Sequence, residues 1–288
     1  MNKKVTILVA CHKPAKVFSS EVYTPIHVGR AVSKCTDLMQ DMIGDDTGDN
    51  ISALNPYYCE LTAQYWAWKN LDCEYVGLCH YRRYFEKEIT VDNVEKVMNG
   101  ADVLLLEYRY SRFSLLKVLA CYLIPEEMMI FYIYMKQYHE DIFPEFDKFF
   151  AKGYVMYPCN MFLCKKTIFD DFAKWQFGIL EDLRKIYRFS GYSHCNRVLG
   201  YIAENLLPFY MIIKGYKIKT MHVEPSMDVK EKFPGFYKLR AAKTRLMHII
   251  QNPIFKPSKD DFFLDEPCLI GLKLDGILDQ DGNLIMPE

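Results

Sequence analysis

The sequence predicts an α/β fold in which a mostly parallel central sheet is flanked by helices. Short apolar runs bounded by polar residues are typical of buried strands, and segments with helical start and stop signals lie between them. Such alternation favours a parallel sheet that helices cover on both faces. The three clearest strands are Val5 to Cys11, Tyr75 to His80 and Ala101 to Leu106.

Helix signals separate these strands. Asn55 as N-cap and Pro56 at the first helical position predict a helix that runs to Asn70. Thr90 is expected to cap a shorter helix that ends at Gly100.

The second half repeats the alternation less regularly. Ligands of such sheets bind beyond the carboxyl ends of the strands, so residues that follow strands are the first candidates for a site. The expected elements are one or two helices over Phe113 to Tyr138 broken near Pro125, a strand from Cys159 to Cys164, a helix from Thr167 to about Tyr187 with Asp170 in a capping box, a helix from His194 to Leu207 stopped by Pro208, and a strand from Tyr216 to Val223.

Composition excludes several classes of protein. The 288 residues include 36 Lys and Arg against 37 Asp and Glu, and this balance argues against a dedicated nucleic-acid binder. Ten cysteines without a C-x-x-C pair, and an amino-terminal apolar run too short for a signal peptide, indicate reduced thiols in the cytoplasm. The most apolar region is interrupted by Lys117 and Pro125, so we expect a soluble or peripheral protein.

The near-zero charge conceals two oppositely charged segments. Residues 230–259 carry eight basic side chains against Glu231, and residues 260–288 carry eight acidic ones against Lys273. We expect residues 226–288 to form a C-terminal extension of a domain spanning 1–225. The basic segment, which includes Lys238, Arg240 and Arg245, either lies on anionic lipid headgroups or pairs with the acidic tail.

An acidic loop is the first candidate site. Asp45, Asp46, Asp49 and Asn50 stand among glycines within a few residues. Such a loop either holds a divalent cation through its oxygens or forms an ordinary turn with Asx hydrogen bonds, and we favour the turn.

A cationic strand end is the second candidate. Gly77 to Phe85 begins in a strand and ends in a loop rich in arginines and aromatics. Arg82 and Arg83, beside His80, are placed to bind a diphosphate through charge-assisted bonds, and Tyr81 is placed to stack on a base or sugar. The alternative is that both arginines pair with surface carboxylates.

Two carboxylates on predicted helices complete the candidates. Glu60 lies in the first turn of its helix and is expected to point along the sheet edge towards a ligand. Glu204 interrupts an apolar helix, where burial would raise its pKa into the range useful to a general base. A lone acid on a helix also serves as a salt-bridge partner.

Taken in order, five blocks of this chain resemble a family of bacterial capsular and exopolysaccharide biosynthesis proteins. That family is known as DUF4422 and is regarded as glycosyltransferases, some of them assigned to galactofuranosyl transfer. The resemblance runs from about Val5 to Val223. The blocks are Asp45 to Ile51, Tyr58 to Ala63 with the aromatics that follow, Gly77 to Phe85, Cys159 to Lys166 and Gly200 to Leu206.

The resemblance implies a GT-A-like fold, with a nucleotide-sugar donor half over about 1–110 and an acceptor half over about 111–225. It implies that His12 and Lys13, at the end of the first strand, lie near the nucleotide. Asn160, in the fourth block, is expected to bind substrate.

One departure from the GT-A pattern bears on the mechanism. Many GT-A enzymes carry an Asp-x-Asp metal motif where this chain has His80 to Arg83. Either these cations neutralise the leaving diphosphate without a metal, or the Asp45 loop supplies Mn²⁺ or Mg²⁺. We favour the first, because arginines and a bound cation would repel each other. Glu204 falls where GT-A enzymes often place the acid that deprotonates the acceptor hydroxyl.

The sequence therefore predicts an inverting hexosyltransferase with Glu204, Arg82 and Arg83 as catalytic residues. It would transfer a sugar such as galactose or galactofuranose from a UDP-sugar to a lipid-linked capsular polysaccharide, exopolysaccharide or O-antigen acceptor, at the cytoplasmic face of the membrane. One alternative is a non-catalytic subunit that binds nucleotide sugar or glycan. Another is metal-dependent phosphoryl or nucleotidyl transfer through the Asp45 loop.

Overall fold

A mixed sheet forms the centre of the computed structural model, which describes residues 3–191, 195–225 and 266–287, with isolated positions between 239 and 250. The strand order along the sheet is β3-β2-β1-β4-β9-β6-β10, and β5 pairs with β4 and β11. A separate pair joins β7 and β8. The strands are β1 (Lys3–Cys11), β2 (Tyr23–His27), β3 (Ile43–Gly44), β4 (Cys73–His80), β5 (Arg83–Phe85), β6 (Val103–Leu106), β7 (Arg109–Tyr110), β8 (Val155–Met156), β9 (Phe162–Lys165), β10 (Ile218–Met221) and β11 (Val223–Pro225).

The pairing brings the ends of distant chain segments to one edge of the sheet. β1 is parallel to β2 and β4, and β6 is parallel to β10. β9 lies antiparallel between β4 and β6. The carboxyl ends of β1, β4 and β6 therefore meet the amino end of β9 at the same edge, here called the site edge.

Helices and short helical turns connect and cover the strands. The α-helices are α1 (Asn55–Tyr58), α2 (Leu61–Asn70), α3 (Val94–Met98), α4 (Leu115–Tyr122), α5 (Pro125–Tyr138), α6 (Phe143–Phe146), α7 (Lys166–Ile186), α8 (Val198–Ile213) and α9 (Glu266–Leu274). The short turns are 3-10 helices at Arg30–Val32, Thr36–Met39, Ser52–Leu54 and Cys195–Arg197, and a π-helical turn at Asp147–Ala151.

The alternation of side chains along the strands divides the core into two clusters. Leu8, Leu78 and Leu105 belong to the larger cluster, which includes the buried faces of α2, α5, α7 and α8. Ile7 and Leu104 point to the other face and pack with residues of α3. Both faces of the sheet are thus covered, as the sequence pattern predicted.

Three details of the expected elements are corrected by the structure. The predicted helix from Asn55 to Asn70 is interrupted at Cys59, which has φ 53° and separates α1 from α2. Pro208 does not stop α8, because the helix continues through it to Ile213. Thr167 does not cap α7, which begins one residue earlier and whose first turn is joined by an ion pair between Lys166 and Asp170.

The chain between the first strand and first helix is more structured than expected. β2 and β3 extend the sheet beyond β1, and both escaped the sequence prediction. These strands are short, and Pro25 interrupts the apolar pattern of β2. Because these strands lie at the margin of the sheet, a weak apolar pattern is enough for them to pair.

The described part of the C-terminal extension packs on the main core. Leu284 and Gln137 of α5 exchange two hydrogen bonds, of 2.8 and 3.3 Å. An antiparallel bridge between Leu278 and Leu284 closes a turn over residues 279–283. The basic segment, with Lys238, Arg240 and Arg245, lies outside the described residues. Among the helices described, none has the length and apolarity needed to cross a bilayer.

Candidate active site

A left-handed turn just before β9 is the centre of the candidate site. Cys159 and Asn160 have φ angles of 75° and 47°, a conformation that asparagine tolerates better than most residues. The turn lies at the site edge and is here called the clamp turn. Its Asn160 side-chain amide donates to Glu60 Oε1 at 2.8 Å, and its backbone N–H at Cys159 faces Glu204 and lowers the pKa of that carboxyl. One turn thus positions two carboxylates from different helices.

Glu204 is a half-buried carboxylate on the otherwise apolar helix α8. Burial raises its pKa to about 7, and the nearby charge of Glu60 adds to the shift. The Cys159 N–H, Arg83 and Arg197 act in the opposite direction. The predicted rise in the pKa of Glu204 is therefore confirmed, and the carboxylate changes protonation state near neutral pH.

Glu60 owes its position to an unusual backbone conformation one residue earlier. Cys59 has φ 53° and ψ −130°, which only glycine adopts without strain. Gly200 of α8 lies against this residue, and a Cβ there would stand 3.2 Å from Cys59 Sγ. Asn160 also lies 3.4 Å from the Gly200 carbonyl, which accepts from its amide. The absence of a side chain at Gly200 therefore lets α8 approach Cys59, the residue before Glu60.

His80 connects the end of β4 to the clamp turn. Its Nε2 donates to the Cys159 carbonyl across 2.7 Å, which requires the proton on Nε2. The same residue contributes both the acceptor of this bond and the N–H that lowers the pKa of Glu204. We therefore infer that His80 orients Glu204 indirectly, by fixing the peptide groups around Cys159.

Positive charge accumulates beside these carboxylates. The pKa of His12 is lowered by burial, and further by the charges of Lys13, Arg82, Arg197 and His80. These groups come from the ends of β1 and β4 and from the turn before α8. A cluster of cations in one place is suited to an anionic ligand with several negative charges.

Arg197 is a member of this cluster that sequence reasoning missed. Its Nε donates to Cys59 Sγ at 3.1 Å, and its guanidinium lies 5.8 Å from the centre of the Tyr201 ring. A signal was available, because Arg197 and Glu204 are seven residues apart and share one helical face.

Arg82 and Arg83 are exposed at the same strand end but differ in their neighbours. Arg83 belongs to β5 and influences the pKa values of both Glu204 and Cys159. Arg82 lies 5.0 Å from the Tyr81 ring centre. Tyr81 itself is only 5% exposed and meets His12 edge to face, so its ring packs in the core instead of lining an open surface.

Asp45 is buried and its carboxylate holds the protein backbone. Its two oxygens accept from the N–H groups of Gly29 and Arg30 at 2.7 and 3.0 Å, and from the Ser52 hydroxyl. This arrangement fixes the turn after β2. The structure therefore gives Asp45 a structural position and directs its oxygens to protein partners.

The rest of the acidic loop is held against α2. Asp49 accepts from the Tyr65 hydroxyl at 3.2 Å, and Asp46 faces Arg30 at 3.9 Å. Asn50 forms the expected Asx turn by accepting from Ser52 N–H at 3.2 Å.

These carboxylates do not converge on one point. Within the described parts of the chain, no group of three or more His, Cys, Asp or Glu side chains is arranged to hold a metal ion. The loop residues therefore do not fit the cation site that was one of their two interpretations.

The geometry supports acid-base chemistry next to a developing negative charge. Glu204 titrates near neutrality, so it can accept a proton from a bound hydroxyl. The cations around His12 lie within electrostatic reach of the same carboxylates. Such a site can remove a proton from one reactant while stabilising negative charge on another.

Comparison with known proteins agrees with the fold. The chain belongs to the family described as domain of unknown function DUF4422, whose profile matches residues 6–215. It is similar to a solved structure titled WbbM bifunctional glycosyltransferase apo structure, with a TM-score of 0.66 and 30% sequence identity. That similarity covers 78% of this chain and 46% of the other, so this chain spans about half its length. A comparison with curated proteins finds no match.

These similarities and the sheet topology confirm the predicted fold class. The chain has a GT-A-like α/β fold with a mostly parallel central sheet between helices. β9 runs antiparallel to β4 and β6 and carries the clamp turn to the site edge, and β5 also pairs antiparallel with β4 and β11.

Proposed function

We propose that this protein is a glycosyltransferase that moves a sugar from a nucleoside diphosphate donor to a hydroxyl of a glycan acceptor. The observation that carries the proposal is the clamp turn, which holds Glu60 and Glu204 next to a cluster of cations. The similarity to a bifunctional glycosyltransferase supports the same class of reaction.

In the proposed reaction, Glu204 is the general base. Its carboxylate takes the proton of the acceptor hydroxyl while that oxygen forms a bond to the anomeric carbon of the donor sugar. The bond between this carbon and the diphosphate oxygen breaks, and the electron pair leaves with the diphosphate. Attack opposite the leaving group inverts the configuration at the anomeric carbon.

The cations stabilise the departing diphosphate. Arg82, Arg83 and Arg197, with Lys13, oppose the negative charge that grows on the leaving oxygen, and the neutral His12 ring lies among them as a hydrogen-bonding group. Fixed charges of this kind are a large part of catalysis in many enzymes. No step of this mechanism passes through a metal ion, because the carboxylates of the acidic loop hold protein groups.

The finer assignment rests on the family resemblance. We propose a UDP-sugar donor, with galactose or galactofuranose as the sugar, and a lipid-linked capsular polysaccharide, exopolysaccharide or O-antigen acceptor. Such an acceptor would place the protein at the cytoplasmic face of the membrane as a peripheral protein.

The test is turnover of nucleotide sugars by the full chain. Wild type is incubated with a panel of nucleoside diphosphate sugars, with and without acceptor glycans, and release of nucleoside diphosphate is measured. We expect Glu204→Gln to lower kcat by about 100-fold or more while donor affinity changes little. Arg82→Ala and Arg83→Ala are expected to lower kcat/KM by about 100-fold each.

A matched control is Glu145→Gln, which changes an exposed carboxylate on α6. If the wild-type protein binds a nucleotide sugar without turning it over, the protein is a non-catalytic binding subunit and not an enzyme. Full activity in Glu204→Gln would remove this residue as the base.

A further inference from the structure

A cavity lies at the site edge, on the sheet face that α3 covers. It has a volume of about 680 Å³, within the range of small-molecule sites. Its floor includes Lys219 and Met221 of β10, and Val97 of α3 forms part of the wall. Met221 and Val97 belong to the core cluster on that face, whereas α8, which carries Glu204, packs on the opposite face.

The cavity shares no lining residue with the candidate active site. Its walls come from the segment after β5, from α3 and from the ends of β6 and β10. The two sites are nevertheless linked, because the Glu86 N–H donates to the His222 carbonyl at 3.0 Å, one residue beyond the strand that carries Arg83. A ligand that spans the site edge could therefore approach both.

Three lysines give the cavity its chemical character. Lys87, Lys96 and Lys219 line it together with two carboxylates, Glu86 and Glu107. Glu107 is paired with His222, whose Nδ1 lies 2.5 Å from Glu107 Oε2. Three lysines therefore line the cavity against two carboxylates, one of which is held by His222, so positive charge is in excess.

Lys219 is held in place by the protein. Its ammonium donates to the Val97 carbonyl at 2.6 Å, which leaves two further N–H donors. Lys87 and Lys96 are exposed at the rim. One fixed and two exposed ammonium groups around one cavity suit a ligand with at least two negative charges, and lysine is a common partner of phosphate.

We propose that this cavity is a second anion site, which binds a phosphate or diphosphate group independently of the candidate active site. The group is carried either by a lipid headgroup or by a soluble phosphorylated ligand. The proposal concerns binding alone, so it stands or falls separately from the proposed transfer reaction.

The experiment measures binding of inorganic pyrophosphate to the full chain by isothermal titration calorimetry. Because the active-site cations could also bind this probe, an Arg82→Ala/Arg83→Ala variant is titrated alongside wild type. We expect that variant to retain binding, and Lys87→Gln/Lys219→Gln to raise Kd at least tenfold. Lys174→Gln, an exposed lysine on α7, is the matched control.

A second variant keeps the test decisive if Lys87→Gln/Lys219→Gln fails to fold. Lys87→Gln/Lys96→Gln changes only exposed rim residues and leaves the bond between Lys219 and Val97 intact. It is expected to raise Kd severalfold. Unchanged pyrophosphate affinity in both lysine variants, or complete loss of binding in the arginine variant, would overturn the proposal.

Vesicle flotation then distinguishes the two sources of phosphate. Phosphatidylcholine vesicles with and without phosphatidic acid are compared for wild type and for Lys87→Gln/Lys96→Gln. Phosphatidic-acid-dependent flotation that decreases in the variant assigns the site to a lipid phosphate. Equal flotation of both proteins, together with the weakened pyrophosphate binding, assigns it to a soluble ligand.

Discussion

At the scale of single residues, the environment of Glu204 decides the chemistry. The same side chain on an exposed helix would be a permanent anion. Here burial and the neighbouring Glu60 raise its pKa to about 7, whereas the Cys159 N–H and two arginines limit the rise. The carboxylate is therefore poised between its two protonation states.

The first prediction concerns the pH dependence of the proposed reaction. A base must be ionised, so kcat/KM should fall about tenfold per pH unit below the pKa of Glu204. Glu60→Gln removes a negative charge that opposes ionisation of Glu204, so the acidic limb should move to lower pH. The measurement is a pH profile of both proteins, with Glu145→Gln as control. An unshifted limb in Glu60→Gln would contradict the coupling.

The same pKa predicts a stability effect. The folded protein binds the Glu204 proton more tightly than the unfolded chain, whose carboxyl has the ordinary value of 4.5. Its contribution to the free energy of unfolding should therefore be present below that value and be lost as the pH rises through about 7. Glu204→Gln should flatten this decline. Denaturant unfolding at several pH values measures it, and identical slopes would argue against the shift.

At the scale of secondary structure elements, the interruptions of helices and strands position the candidate-site residues more than the regular segments do. Cys59 breaks a predicted continuous helix, and the break lets Glu60 begin α2 at the site edge. The clamp turn takes the place of the first residues of the strand predicted from Cys159 to Cys164, because β9 begins only at Phe162. Both departures from regular structure carry residues of the candidate site.

A pair of glycine substitutions tests how the acidic loop is fixed. Gly48 has φ 58°, and a Cβ there would lie 2.0 Å from Asn70 Oδ1, so Gly48→Ala should lower the free energy of unfolding by more than about 1 kcal/mol. Gly178 is exposed in α7 with open space around it, so Gly178→Ala should raise that free energy by about 0.5–1 kcal/mol. Denaturant unfolding checks both. Equal effects would show that the loop is not held against α2.

At the scale of the whole molecule, the length of α2 separates Asp49 of the acidic loop from the candidate site. Asp49 is bonded to Tyr65 and lies 4.0 Å from Lys69 near the end of α2, whereas Glu60 precedes its start. A helix of ten residues is about 15 Å long. Asp49 and the paired carboxylates therefore lie towards opposite ends of α2, whereas Asp45 follows β3 at the site edge.

This separation leads to a prediction about metals. Because the loop carboxylates bind protein groups and cations occupy the strand end, transfer activity should persist in excess EDTA. Asp46→Asn should also leave kcat within about twofold of wild type. Donor turnover with and without chelator is the measurement. Strict loss of activity on chelation and in Asp46→Asn would instead support the metal-dependent alternative.

Sequence by itself determined the fold class and marked many of the candidate-site residues. The strands that begin at Lys3, Cys73 and Val103 were predictable because continuous apolar runs reflect burial on both faces, and their polar ends marked His12, His80 and Arg83. Glu204 was recognisable as a charge within an apolar helix. Each of these signals is local, because it lies within a single segment of the chain.

Only the tertiary structure decided which of these residues meet. Asn160 lies 100 positions from Glu60, and no local pattern connects the two. The antiparallel placement of β9 brings the clamp turn between Glu60 and Glu204. The topology also brings Arg197 beside the same carboxylates, and it directs Asp45 to backbone N–H groups. Contacts between distant segments depend on how the sheet is ordered, and that order follows from the packing of the entire core.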